Sequence, residues 1–139
     1  MSSLSAHHVG ITVSDLDSAV AFYRDTLGLS LADRFEVSGE AFSTAVGVEH
    51  ATGRFAHLDG GDVRIELVEY DPEGDTRSNA TLDQPGATHL GLSVDDVDAV
   101  VADLPSDVET LSDPQTTSSG TRIVFLRDPE GNLVELLEV

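Results

Sequence analysis

The segment His8-Val-Gly-Ile-Thr-Val-Ser-Asp-Leu-Asp-Ser-Ala-Val-Ala21 occurs again, in closely similar form, later in the chain. Its counterpart is His89-Leu-Gly-Leu-Ser-Val-Asp-Asp-Val-Asp-Ala-Val-Val-Ala102, and seven of the fourteen aligned positions are identical. A second pair of segments also matches, Ile65-Glu-Leu-Val-Glu69 and Val134-Glu-Leu-Leu-Glu138. The chain is therefore predicted to be an internal duplication, in which each half opens with a histidine and closes with a glutamate-bearing segment.

Each copy of the repeat is predicted to begin as a strand and to continue as a helix. Apolar and polar residues alternate over 8–13 and over 89–94, which is typical of a strand with one buried face. Polar residues suited to capping a helix follow each strand: Ser14 or Asp15 in the first copy, and Asp95 or Asp96 in the second. The first helix is expected to carry an apolar stripe and to end near Gly28; the stripe consists of Leu16, Val20 and Tyr23.

Shorter strand-like runs follow each helix. They cover 29–37, 41–46, 54–58 and 63–70 in the first half, and 108–111, 121–126 and 133–139 in the second. The turn Asp128-Pro-Glu-Gly-Asn132 joins the last two runs. The pattern is β-α-β-β-β, twice, and predicts an α+β fold. A single domain over 1–139 is expected, with modules at 5–70 and 87–139 and a polar linker at 71–86.

The composition is strongly acidic, with 26 acidic residues, seven basic residues and a net charge of −19. Such a surface repels nucleic acid and anionic membranes, so neither is expected as a partner. The absence of cysteine excludes thiolate metal sites and cysteine nucleophiles. No apolar run approaches a membrane span and the N-terminus lacks signal-peptide features, so a cytoplasmic protein is expected. The acidic excess, with arginine as the only basic residue type, favours a halophilic protein over an ordinary acidic one.

Four side chains that can bind a metal occupy equivalent positions in the two halves. Strand alternation places His8 and His89 opposite the bulky aliphatic residues of their strands, and each is followed two residues later by glycine. Glu66 and Glu135 sit between aliphatic neighbours in the matching late segments. If the halves pack with pseudo-twofold symmetry, the four side chains converge. Two imidazoles and two carboxylates suit Zn, Ni, Co, Mn or Fe(II).

The repeat also decides which of the other histidines are candidates for the metal site. His7 is expected on the face opposite to His8, and the repeat aligns His8 with His89. His50 and His57 have no counterpart in the second half, although His57 is a candidate for the pocket. A single histidine on a strand is more often structural, and a single glutamate in so acidic a chain is more often solvated. The duplication is what favours the ligand interpretation.

The chain resembles the vicinal-oxygen-chelate superfamily over nearly its whole length. The resemblance is carried by the His8 repeat with Ala21-Phe-Tyr-Arg-Asp-Thr-Leu-Gly-Leu29, by Ala87-Thr-His-Leu-Gly-Leu-Ser-Val94, and by Phe125-Leu-Arg-Asp-Pro-Glu-Gly-Asn-Leu-Val-Glu-Leu-Leu-Glu138. This superfamily includes glyoxalase I, methylmalonyl-CoA epimerase, extradiol dioxygenases and bleomycin resistance proteins. The resemblance implies paired βαβββ modules that form a curved mixed sheet around a metal, and it is strongest for glyoxalase-like members.

The glyoxalase I pattern implies that His8, Glu66, His89 and Glu135 bind one divalent ion. It also implies a lyase or isomerase that stabilises an enediolate of a small substrate with oxygens on adjacent carbons. Glu135 or Glu66 would act as the base, with Glu135 preferred. Return of the proton to the next carbon gives a glyoxalase, and return to the same carbon gives an epimerase. Whether the substrate includes a thiol adduct is left open by the sequence.

Three alternatives are retained: an enzyme like methylmalonyl-CoA epimerase, an extradiol dioxygenase, and a binding protein of the bleomycin resistance type without turnover. Extradiol dioxygenases use two histidines and one glutamate, so a second glutamate at Glu66 counts against that alternative. Drug-binding members lack a full ligand set, so the complete set in this chain counts against a binding protein. The arginines that hold glutathione in glyoxalases have no secure match. Arg64 shares the Glu66 face and is a candidate for an anionic substrate or for an ion pair. The resemblance also implies a homodimer, with the site inside one chain or shared between two.

Overall fold

Two units with the same strand order make up the fold. The structure is a computed structural model and describes residues 3–77 and 81–139. The chain divides into the units Met1–Thr76 and Arg77–Val139, and the division falls inside the predicted linker. Each unit contains a four-stranded mixed sheet, which confirms an α+β fold of two βαβββ modules.

The first module has a helix between its first and second strands and a further helix between its second and third. Its elements are β1 (His8–Thr12), α1 (Leu16–Ala21), a π-helical turn (Phe22–Thr26), β2 (Leu31–Ser38), α2 (Glu40–Val46), β3 (Thr52–Asp59) and β4 (Arg64–Asp71). The sheet order is β1-β4-β3-β2. Strand β1 runs parallel to β4, and the other two pairings are antiparallel.

The second module repeats this arrangement with shorter elements. They are β5 (Leu90–Ser93), α3 (Val97–Ala102), β6 (Gln115–Thr116), β7 (Arg122–Arg127) and β8 (Leu133–Glu138). The sheet order is β5-β8-β7-β6, again with the first and last strands parallel. The duplication seen in the sequence is therefore also a duplication of topology.

The starts of α1 and α3 are each held by two carboxylates. The side chain of Asp15 accepts a hydrogen bond from the backbone of Ser18, and Asp96 does the same for Ala99, so Asp15 and Asp96 are the caps. The backbone N–H of Leu16 donates to Glu69 at 2.9 Å, and that of Val97 donates to Glu138 at 2.9 Å. The second glutamate of each matching late segment thus satisfies a helix N–H that would otherwise lack a partner. It ties the last strand of its module to the helix.

The matching aspartates Asp17 and Asp98 tie the same helices to strand arginines. Arg122 donates to both carboxylate oxygens of Asp98, at 2.7 and 2.8 Å, and Arg34 donates to Asp17 at 2.5 Å. These hydrogen bonds hold the pKa of Asp98 and of Asp17 below the ordinary value. Both pairs are exposed to solvent, so their contribution to stability is small.

The core of the first module lies between α1 and the sheet. Ile65 and Leu67 of β4 are buried, as is the predicted helical stripe of Leu16, Val20 and Tyr23. Strand alternation sends Glu66 to the opposite face of the sheet. In the second module Val134 and Leu136 are buried, and Glu135 lies between them in the chain. The helix therefore covers one face of each sheet, and the predicted ligands lie on the other.

The strand predicted at 41–46 is wrong, because these residues lie in α2. Gly47 ends this helix in the left-handed conformation with a φ of 72°. The ring of Phe42 packs against the rings of Phe55 and Tyr70 on the sheet. Periodicity does not separate a helix from a strand in so short an apolar run, and packing against the sheet decides it.

The strand predicted at 108–111 is also wrong. Thr110 forms an isolated bridge with Leu126, and the edge strand is β6, at Gln115–Thr116. Gln115 is a polar residue outside the apolar pattern, and it joins the sheet only through its pairing with Ile123. Within the described parts of the chain, no helix has the length and apolar composition needed to cross a membrane.

Gly53 is expected to resist substitution because aromatic rings fill the space beside it. A Cβ atom there would lie 2.6 Å from Phe55 and 3.0 Å from Phe42. Gly53→Ala should lower the free energy of unfolding by about 1–3 kcal/mol, the usual range for overpacking. The measurement is urea unfolding of the variant beside Gly74→Ala, whose added Cβ would meet no atom within 4 Å. Equal midpoints for the two variants would contradict the packing described here.

Candidate metal centre

The first module places His8 beside Glu66. His8 lies on β1 and Glu66 on the parallel neighbour β4, where Gly10 is the register partner of Glu66. The Nε2 atom of His8 is 3.5 Å from Oε2 of Glu66. The side chain of Glu66 is 15% exposed and that of His8 is 39% exposed. A ring nitrogen and a carboxylate oxygen thus face one point that a ligand or an ion can reach.

The second module builds the same pair. His89 immediately precedes β5, and Glu135 lies on β8 opposite Gly91. The Nε2 atom of His89 is 3.4 Å from Oε1 of Glu135, and both side chains have exposures close to those in the first module. The four predicted residues therefore form two His–Glu pairs, one within each module.

The glycine two residues after each histidine leaves room for the glutamate. A Cβ atom at Gly10 would lie 3.3 Å from Oε2 of Glu66, which is a tight contact. A Cβ atom at Gly91 would lie 3.8 Å from Oε1 of Glu135, which is ordinary contact. The glycine of the His-x-Gly pattern thus has a steric cause in the first module, where the carboxylate lies closely over the backbone of the neighbouring strand.

The modules differ at the strand next to the glutamate. On β3, His57 is the register partner of Glu66, whereas on β7 the corresponding partner of Glu135 is Phe125. The Nε2 atom of His57 is 2.9 Å from Oε1 of Glu66, and Nη1 of Arg64 is 3.2 Å from Nδ1 of His57. His57 is buried, with 6% exposure.

His57 is a site residue that the repeat alone does not identify. The sequence makes it a pocket candidate but provides no counterpart to support it. The short connection between β3 and β4 is the signal that points to it, because a hairpin this tight sets His57 opposite Glu66. Arg64, expected on the Glu66 face, contacts His57 there.

Of the two remaining histidines, His7 contacts His8 and His50 lies apart from the pairs. The Nδ1 atoms of His7 and His8 are 2.8 Å apart, so the expectation that His7 lies on the opposite face is wrong. His7 precedes β1, where strand alternation does not yet apply. His50, which has a positive φ of 56°, lines a cavity of about 570 Å³ between α2, the end of β2 and the start of β3.

The chemistry of the two pairs fits a divalent metal, but neither pair alone completes a site. Imidazole nitrogen and carboxylate oxygen are common ligands of divalent transition metals, and sites in proteins use at least three protein ligands. Over residues 3–77 and 81–139, no group of three or more His, Asp or Glu side chains is arranged to hold an ion. Each module therefore contains two of the four predicted ligands.

Comparisons with known proteins agree with the fold. The family model that describes the Glyoxalase/Bleomycin resistance protein/Dioxygenase superfamily matches residues 5–136 of this chain. The chain is 33% identical to a 2-epi-5-epi-valiolone epimerase from Actinomyces sp, over 99% of this chain and 80% of that protein. It is 30% identical to the mitochondrial methylmalonyl-CoA epimerase of Mus musculus, over 94% of this chain and 70% of that one. A solved structure of a glyoxalase family protein from Bacillus cereus shares 26% identity, with a TM-score of 0.88 over 99% of this chain and 95% of that one.

The space available for a methyl group differs between Gly10 and Gly91, and this difference can be tested. Gly10→Ala should displace the Glu66 carboxylate, because the added methyl group lies 3.3 Å from its oxygen. Gly91→Ala is the matched control, with 3.8 Å available. Isothermal titration with zinc should show an affinity loss on the order of tenfold for Gly10→Ala and little change for Gly91→Ala. Equal losses in both variants would refute this account of the glycines.

Proposed function

We propose that this chain, which belongs to the Glyoxalase/Bleomycin resistance protein/Dioxygenase superfamily, is a divalent-metal-dependent lyase or isomerase. Its substrate would be a small molecule with oxygens on adjacent carbons. The observation that carries the proposal is the His–Glu pair built at the same register in both modules, with N–O distances of 3.5 and 3.4 Å. A chance contact between a histidine and a glutamate on the surface would not be expected at the same register position in both modules.

The proposed ligands are His8 and Glu66 from the first module, together with His89 and Glu135 from the second. They would meet within one chain or across a homodimer. Two nitrogen and two oxygen ligands suit Zn, Ni, Co, Mn or Fe(II), with positions left for the substrate. A bound ion would supply a Lewis acid that stabilises the negative charge which the substrate oxygens gain during the reaction.

A carboxylate of the site is proposed to move the proton. Glu135, with Glu66 as the alternative, would take a proton from the carbon next to a carbonyl group of the substrate. Return of that proton to the adjacent carbon is the glyoxalase outcome. Delivery of a proton to the other face of the same carbon is epimerisation. The epimerases among the relatives favour the second outcome, and the His, Glu, His, Glu ligand set favours the first.

Aromatic rings beside Glu66 support a small organic substrate. Phe35 stacks on Phe55 with ring centroids 5.0 Å apart, and its edge faces the ring of His57 at 5.1 Å. Phe55 precedes His57 by two residues on β3, so both lie on the Glu66 face. Phe35 remains 38% exposed, which leaves an apolar surface against which a carbon skeleton can pack. A homodimer and a cytoplasmic location stay predictions.

The proposal is tested by metal analysis of protein purified in high salt, followed by turnover assays. The substrates would be a hemithioacetal, a branched acyl-CoA and a keto-cyclitol, each assayed with Zn, Ni, Co, Mn or Fe(II) restored. Incorporation of deuterium from D2O into the substrate would report the proton transfer. Oxygen consumption with a catechol and Fe(II) would instead identify a dioxygenase. Tight ligand binding that survives chelation, without turnover, would identify a binding protein.

Replacement of Glu135 should separate catalysis from folding. Glu135→Gln keeps a ligating oxygen but removes the base, so turnover should fall by about 10²–10⁴-fold while the metal content is retained. Glu138→Gln is the matched control on the same strand, because its side chain accepts a hydrogen bond from Val97 on the helix side of the sheet. The assay is deuterium exchange with the best substrate of the panel. Full activity of Glu135→Gln would exclude Glu135 as the base.

A further inference from the structure

We propose that His57, held in place by Arg64, is a positioning residue that fixes the carboxylate of Glu66. The two modules then have the same topology, but the contacts that fix the glutamate side chain differ between them. The inference rests on the proposed function in one respect, which is that Glu66 binds the metal. It adds two residues that the duplicated ligand set does not include.

The contact with Arg64 assigns the tautomer of His57. A guanidinium group has only N–H donors, so Nδ1 of His57 is the acceptor at the 3.2 Å contact. The ring N–H of His57 is then the one at Nε2. That N–H points at Oε1 of Glu66, 2.9 Å away, and donates to it. The result is a directed chain of two hydrogen bonds, from Arg64 through His57 to Glu66.

Burial and packing restrain His57, the middle member of this chain. His57 is only 6% exposed, and the edge-on contact with Phe35 restricts the rotation of its ring. A hydrogen bond sheltered from water is stronger than one on the surface. The two oxygens of Glu66 have separate roles, because Oε1 accepts from His57 while Oε2 faces Nε2 of His8 at 3.5 Å. Oε2 is thus the oxygen presented to an ion.

The second module lacks both members of this chain. Phe125 takes the place of His57 as the register partner of the glutamate. Leu133 takes the place of Arg64, two residues before the glutamate on the last strand. A phenyl ring and an isobutyl group donate no hydrogen bond, so neither residue can hold Glu135. Glu66 is therefore the anchored carboxylate, and Glu135 is the one with freedom to move a proton.

The first test measures the tautomer in metal-free protein. Long-range proton–nitrogen NMR at mildly alkaline pH should show the His57 proton on Nε2. Arg64→Leu, which copies Leu133 of the second module, should allow a substantial fraction with the proton on Nδ1. A wild-type His57 with its proton on Nδ1 would overturn the inference, whether or not the protein binds a metal.

The second test measures zinc affinity by competition with a chromophoric chelator. His57→Phe, which copies Phe125, should weaken binding by about 10–100-fold, the usual effect of losing a residue that orients a metal ligand. His57→Gln keeps an N–H donor and should recover most of this loss. Wild-type affinity in His57→Phe would overturn the inference. A wild-type protein that binds no zinc, nickel, cobalt, manganese or iron would instead refute the proposed metal-dependent function, and the tautomer measurement would still decide the role of His57.

Discussion

Parallel pairing of the first and last strands in each module is the constraint on which the candidate site depends. It sets Gly10 opposite Glu66 and Gly91 opposite Glu135, so that the histidine two residues earlier stands beside the carboxylate. A parallel pair needs a crossover connection, which here contains the helix and the other two strands of the module. The module must therefore be complete before its two ligands meet, which couples the chemistry to the fold.

Strand alternation gives the late segment of each module two separate tasks. The first glutamate of Ile65-Glu-Leu-Val-Glu69 lies on the site face, and the second lies three residues later on the helix face. Glu69 there accepts from Leu16 at the start of α1, and Glu138 accepts from Val97 at the start of α3. The same short motif thus supplies a candidate ligand to one face and fastens the helix to the other.

Duplication of the backbone has not kept the two sites chemically equal. Where the first module has the polar pair of exposed Arg64 and buried His57, the second has apolar Leu133 and Phe125. Symmetry of topology places one glutamate in each module, and the neighbouring strand decides how firmly each is held. This difference suits the proposed function, because keeping a ligand in place and moving a proton need different mobility.

The amino-acid sequence alone reveals the duplication and the histidine and glutamate of each module, and it narrows each helix cap to two residues, because local patterns and their repetition encode these features. The folded chain was needed to choose Asp15 and Asp96 as the caps, and to establish the helix at 41–46, the edge strand at Gln115–Thr116 and the place of His57. These depend on packing and on register between strands, where side chains far apart in the chain compete for the same space. A repeat identifies what the modules share, whereas His57 belongs to one module alone and is recognised only from the strand that pairs with it.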